Sequence, residues 1–148
     1  MANDAALQAT AAQLRDSRYQ ADTWLNVTLP PMMKLWKGIG NIRASNFFIS
    51  EEDARQAKGA YVDSRPFRFA ESLWRMGQVQ KDPKHDYRGK IAEFVVDFPT
   101  EAAVGICLAN PVFGVTGGLL QYFIPDWQRT LRLTGRTYRF EEKSYPSL

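Results

Sequence analysis

The chain has 148 residues, 45% of them hydrophobic and 24% charged, the size and make-up of one globular domain able to bury a core without staples. Its net charge of +3, from 19 Lys and Arg against 16 Asp and Glu, falls well short of the cationic stripe of a dedicated nucleic-acid binder. One cysteine and one histidine exclude an intrachain disulfide and a histidine-based metal cluster, and no run reaches the roughly 18 apolar residues of a membrane span.

From the N-terminus, Asn3 or Asp4 is placed to cap an Ala-rich helix running to about Ala21, with a thin stripe of Leu7, Ala11, Leu14 and Arg18. Asp4 and two glutamines stand where a secretory leader would be apolar. Residues 1–28 read as helix and linker, and Leu29-Pro30-Pro31 opens a single domain over 29–148. Met33 to Ile39 alternates as a strand closed by Gly38 and Gly40, and Ser45 to Ile49 reads as a second strand. Ser50 then caps a helix whose first turn, Glu51-Glu52-Asp53, suits the helix dipole and which Gly59 ends. Pro66 opens a further helix through Phe69, Leu73 and Trp74 to Gly77, followed by a polar loop from Gln78 to Gly89.

Ile91 to Phe98 has the clearest β propensity. Thr100 to Ala103 is expected to open a short helical piece. A glycine-hinged loop, Asn110 to Gly118, then feeds the strand Leu119 to Ile124, and Arg136 to Glu141 alternates as the last strand. The order fits a small α+β domain with a mixed, mainly antiparallel sheet and N-terminal and inserted helices.

Gln121 is the informative polar residue, set among apolar neighbours after Gly117-Gly118. A buried amide is costly unless satisfied, so Gln121 marks a pocket edge or, in the plainer reading, faces water from a hairpin. Cys107, in the run Val104 to Leu108, reads as a structural buried thiol, and His85, between Lys84 and Asp86, as a solvated loop residue. Glu93 reads as an edge-strand carboxylate facing water. Lys37, Ser50, the aromatics Trp36, Phe47, Phe48 and Trp74, and Gln121 together suit an anionic dinucleotide. Cations hold phosphates, aromatic faces stack on a flat ring, and a polar group steadies an oxocarbenium-like transition state. A cationic pyridinium leaves with little acid assistance, so one Gln or Glu suffices where ordinary sugar hydrolysis wants two carboxylates.

The succession Leu29-Pro30-Pro31, Leu35-Trp36-Lys37-Gly38-Ile39-Gly40, Asn46-Phe47-Phe48-Ile49-Ser50, Glu93-Phe94-Val95-Val96 and Gly117-Gly118-Leu119-Leu120-Gln121 resembles the ADP-ribosyltransferase-like toxin domains. Within them it is most similar to the NAD-glycohydrolase toxins of the tuberculosis necrotizing toxin type. The resemblance covers about Leu29 to Trp127. It implies an ADP-ribosyltransferase-like fold, NAD as substrate with no bound cofactor, and Gln121 as the catalytic residue. It also implies Ser50 at the nicotinamide ribose and a phosphate-binding cation on the first strand. That cation is usually Arg, and here Lys37 stands there with Arg43 the nearest substitute. Phe48 and Trp74 would line the ring site and Gly118 the loop beside it. Gln in place of Glu tilts the implied chemistry toward hydrolysis over transfer to a protein target. Such domains are delivered effectors acting in the cytoplasm of a target cell, paired with an immunity protein. Two other readings stay open: a compact ribonuclease toxin using His85, Arg88, Lys90 and Arg136, and a non-enzymatic binding module.

Overall fold

Seven segments of the chain pair into one sheet whose two apolar faces hold separate cores. The computed structural model describes residues 3–15, 22–39, 45–58, 90–108, 118 and 120–139. The strands are β1 (Thr23–Leu29), β2 (Lys34–Ile39), β3 (Phe47–Ser50), β4 (Lys90–Val96), β5 (Thr100–Ile106), β6 (Leu120–Phe123) and β7 (Leu131–Arg139). Helix α1 is Ala5–Gln13, α2 is Glu51–Lys58, and α3 is the single turn Trp127–Thr130. The strand order is β1-β5-β6-β3-β2-β4-β7. Each pairing between these strands is antiparallel, so among the described residues the expected mixed sheet is a purely antiparallel one.

On one face, Leu29, Leu35, Phe48, Phe94, Val96, Ile124 and Leu131 form a core closed by Trp127 of α3. Phe48, Phe94 and Trp127 meet edge to face with centroids 5.3 to 5.7 Å apart, the preferred geometry of aromatic quadrupoles. On the other face, α1 lies over Trp24, Ala103 and Phe123. The sheet thus has a Trp127 face and an α1 face.

Several expectations are corrected. The opening helix ends at Gln13, and it buries Ala5, Ala9 and Gln13 while Leu7 and Leu14 stay exposed. Small alanines let the helix axis approach the sheet closely, which a leucine stripe would prevent. Residues 23–28, read as linker, form with Leu29 a strand paired with β5 along its length, so these residues belong to the same sheet as the rest. Thr100–Ala103 is strand, not helix. Ala103 and Gly105 carry helix propensity or flexibility, but small residues are what this strand needs beneath Trp24 and α1, while Ala102 packs in the core of the Trp127 face. Glu93 does not face water from an edge, because β4 lies between β2 and β7 and the carboxylate is 1% exposed.

Ser50 performs as expected at the start of α2: its Oγ accepts the Asp53 N–H at 3.1 Å. The glycine at residue 59, the helix read from Pro66, the loop with His85, and all of the loop read over 110–118 except Gly118 lie outside the described residues.

Candidate functional site

Antiparallel pairing places directly opposed residues on one face, so the register shows which polar groups share a surface. Gln121 on β6 stands opposite Gly105 on one side and Ile49 on the other. Ile49 faces Trp36, and Trp36 faces Glu93. The row Gly105, Gln121, Ile49, Trp36, Glu93 therefore crosses five strands on the α1 face. Gln121 is 6% exposed, and among the described residues its side-chain amide has no hydrogen-bond partner. This decides against a water-facing hairpin residue. An amide held in this way forfeits about 1–3 kcal/mol of stability, which makes its presence informative.

The surroundings of Gln121 are rigid. Gly105 has no room for a side chain, since a Cβ there would meet the Thr23 carbonyl oxygen at 2.8 Å and the Trp24 ring at 3.0 Å. Leu120, the residue before Gln121, donates its N–H to Asp53 Oδ2 at 3.1 Å, and Asp53 is itself held by Ser50. Ser50, Asp53 and Leu120 thus form a chain of contacts that sets the start of β6. Burial raises the Asp53 pKa above its ordinary value, against the opposing influence of the Leu120 and Ser50 hydrogen bonds. Burial first, and the Asp53 charge second, also raise that of Tyr122. The Gly118 N–H, at φ +98° where glycine is favoured, donates to the Cys107 carbonyl at 2.7 Å.

At the other end of the row, Glu93 accepts from the Thr134 hydroxyl at 2.8 Å and from Arg136 Nη1 at 3.3 Å. Trp36 Nε1 donates to Glu51 Oε2 at 2.6 Å, tying the row to the first turn of α2. The sequence pattern alone puts Glu93 at a water-facing edge and Arg136 only in the nuclease alternative. The available signal was Gly135, an isolated glycine inside a strand pattern, which marks a bulge.

The residues expected to converge divide between the faces. Lys37, Phe48 and Ser50 lie on the Trp127 face, opposite to Gln121, because each is one residue out of phase with the row. Lys37 is buried, its Nζ bonded to the carbonyl and hydroxyl of Ser45 and placed 4.8 Å over the Phe48 ring and 5.3 Å over that of Trp127. Phe48 packs in the core of that face. Arg43 and Trp74 lie outside the described residues. Cys107 is buried and its thiol is pushed far up by burial, then by the Asp22 charge, as suits a structural cysteine. Among the described residues, no group of three or more His, Cys, Asp or Glu could hold a metal ion, and no helix is long and apolar enough to cross a membrane.

A family model described as the Rhs1 C-terminal toxin domain matches residues 2–126. No curated protein is similar to the chain. Among solved structures, Rhs1-CT in complex with its cognate immunity protein RhsI1 superposes with a TM-score of 0.80 at 21% identity, covering 96% of this chain and 100% of that one. Tne2 in complex with Tni2 superposes with a TM-score of 0.53 at 16% identity, covering 79% of this chain and 92% of that one. Such identities carry the fold, and the family match carries the kinship. The matched span contains Glu93 and Gln121 and ends before β7. The chain belongs to the Rhs1 C-terminal toxin domain family.

Proposed function

We propose that the chain is a toxin domain that destroys NAD by cleaving the nicotinamide–ribose bond. The observation that carries this reading is Gln121, a buried amide without a partner among the described residues, on a strand locked between β3 and β5. A fixed dipole of this kind adds little to folding, and is of use where positive charge develops on a sugar. The bond between ribose C1′ and the pyridinium nitrogen breaks with both electrons going to the nitrogen. Nicotinamide then leaves neutral and an oxocarbenium-like cation remains. The Gln121 carbonyl oxygen stabilises that cation, and water adds to C1′ and releases a proton, giving ADP-ribose. With a protein nucleophile in place of water, the same steps transfer ADP-ribose to a target.

Ser50 serves this site through Asp53, which holds the residue before Gln121. The resemblance to ADP-ribosyltransferase-like domains supports the same substrate. As the killing portion of a delivered effector, the domain would act in the cytoplasm of a target cell. An immunity protein would neutralise it, by analogy with Rhs1-CT, which is seen bound to its own.

The test is direct. Purified protein incubated with NAD should release nicotinamide, and Gln121→Ala should lower that rate by about 100-fold or more with an unchanged melting profile. Intact NAD alongside degraded RNA, with His85→Ala restoring the RNA, would replace this reading with a ribonuclease. Labelled ADP-ribose on a cellular protein without free ADP-ribose would make transfer the reaction. Silence in all three assays would leave a binding module.

A further inference from the structure

If Gln121 handles the ribose, the dinucleotide's phosphates still need a cation on the same face, and Lys37 is committed to the opposite one. The α1 face of β7 offers another. Between the pairs Phe94 with Leu133 and Ala92 with Thr137, β4 advances by two residues and β7 by four. Thr134, Gly135 and Arg136 therefore all stand opposite Glu93. Gly135 has φ +93°, and nothing lies within 4 Å of where its Cβ would be, so the glycine is there for backbone conformation and not for space. The bulge brings Thr134 and Arg136 onto Glu93 together, and the Arg136 N–H is shared with the Thr134 hydroxyl at 3.2 Å.

The pair is lopsided. Glu93 is 1% exposed and the Arg136 side chain 62%. One guanidinium nitrogen rests on the carboxylate, and the remaining donors of its planar fork are left for solvent or a ligand. Folding alone does not explain the arrangement, because an apolar pair of similar volume would generally serve as well as a buried carboxylate with an exposed arginine. A guanidinium whose position is already fixed loses little freedom on meeting an anion.

The geometry points to Arg136 as a phosphate-binding residue: a guanidinium aimed by a glycine bulge, seated on buried Glu93, and facing the side of the sheet that carries Gln121. This rests on the NAD reading above and deepens it by naming the group that takes the phosphate end of the dinucleotide. Between β6 and β7 lie four strand spacings, roughly 19 Å of backbone separation. Arg136 reaches back over Glu93 and shortens that gap. Arg132, on the same strand and paired with Asp97 at 2.9 Å, carries the same charge without the bulge and serves as the control.

The experiment compares wild type, Arg136→Gln, Arg136→Lys and Arg132→Gln in two assays. These are calorimetric titration with inorganic pyrophosphate and the kinetics of nicotinamide release, with urea melts to confirm folding. Arg136→Gln should weaken pyrophosphate binding by about tenfold or more and raise the KM for NAD similarly with kcat little changed. Arg136→Lys should recover part of the affinity, and Arg132→Gln should match wild type. Equal pyrophosphate affinity in wild type and Arg136→Gln overturns the assignment, as does no binding to wild type. An equal loss in Arg132→Gln also overturns it, since the effect would then be diffuse charge. If wild type leaves NAD intact, the NAD reading falls while the pyrophosphate titration still decides Arg136. Should Arg136→Gln melt early, Arg136→Lys carries the comparison.

Discussion

Replacing Gln121 with methionine separates the demands of folding from those of the reaction. Methionine has nearly the same length, an unbranched flexible stem and no amide to satisfy, so it fills the space between Gly105 and Ile49 without new strain. The native amide is 6% exposed and has no partner among the described residues. Removing such a group should return about 1–2 kcal/mol of stability. For a domain of this length that is a rise in Tm of roughly 3–6 °C. Urea melts and thermal scans measure the first effect, and nicotinamide release measures the second, which should fall by about 100-fold or more. The expected variant is more stable and inactive. A loss of about 1 kcal/mol or more would show that the amide is satisfied and structural. Retained NAD cleavage would remove Gln121 from the reaction whatever the melts show.

Gly105→Ala should destabilise the domain by about 1–3 kcal/mol in urea melts, because the new methyl meets the Thr23 carbonyl, which cannot give way as a flexible side chain would. An unchanged midpoint would mean that β1 slides freely on β5. Asp53→Asn tests the start of β6 through pH. Burial raises the folded-state pKa of Asp53 above its unfolded value, so the native state holds the proton more tightly. The ionised form therefore lowers stability above the folded pKa, and that penalty fades as pH falls through it. Asparagine keeps an acceptor for the Leu120 N–H. The variant should match or exceed wild type in stability near neutral pH, with the difference closing in acid; a gap that widens in acid refutes the assignment of burial as the cause.

Strand positions on β2, β3, β4 and β6 were legible because apolar alternation and Gly or Ser punctuation agree there. The cap at Ser50 was legible for a local reason: hydroxyl, three acidic residues and helix follow in order. β1 and β5 were not, because Ala103 and Gly105 are chosen for what lies above them, and those neighbours, Trp24 and α1, are distant in sequence. The burial of Gln121 could be posed from sequence as a choice but not decided, since it depends on α1 and β5 lying beside it. Face assignment was the larger difficulty. Whether Lys37 and Gln121 share a side depends on the pairing register of β2, β3 and β6, and a shift of one residue reverses the answer. The burial of Glu93 does not show in its own strand, because it depends on β7, whose bulge brings both of its partners.

The four residues of β6 have a consequence for how the domain comes into being. In the strand order, β6 is the sole link between the β1–β5 pair and the block β3-β2-β4-β7. Until Leu120–Phe123 docks, the described strands form two sheets with facing raw edges, each built from pieces far apart in the chain. Contacts of such sequence separation form slowly, so the two parts of the sheet stay apart until β6 is in place. Gln121 rides on that joining strand. A domain built this way acquires its proposed reactive group in the same step that completes its sheet, so the sheet's closure and the placing of Gln121 are one event.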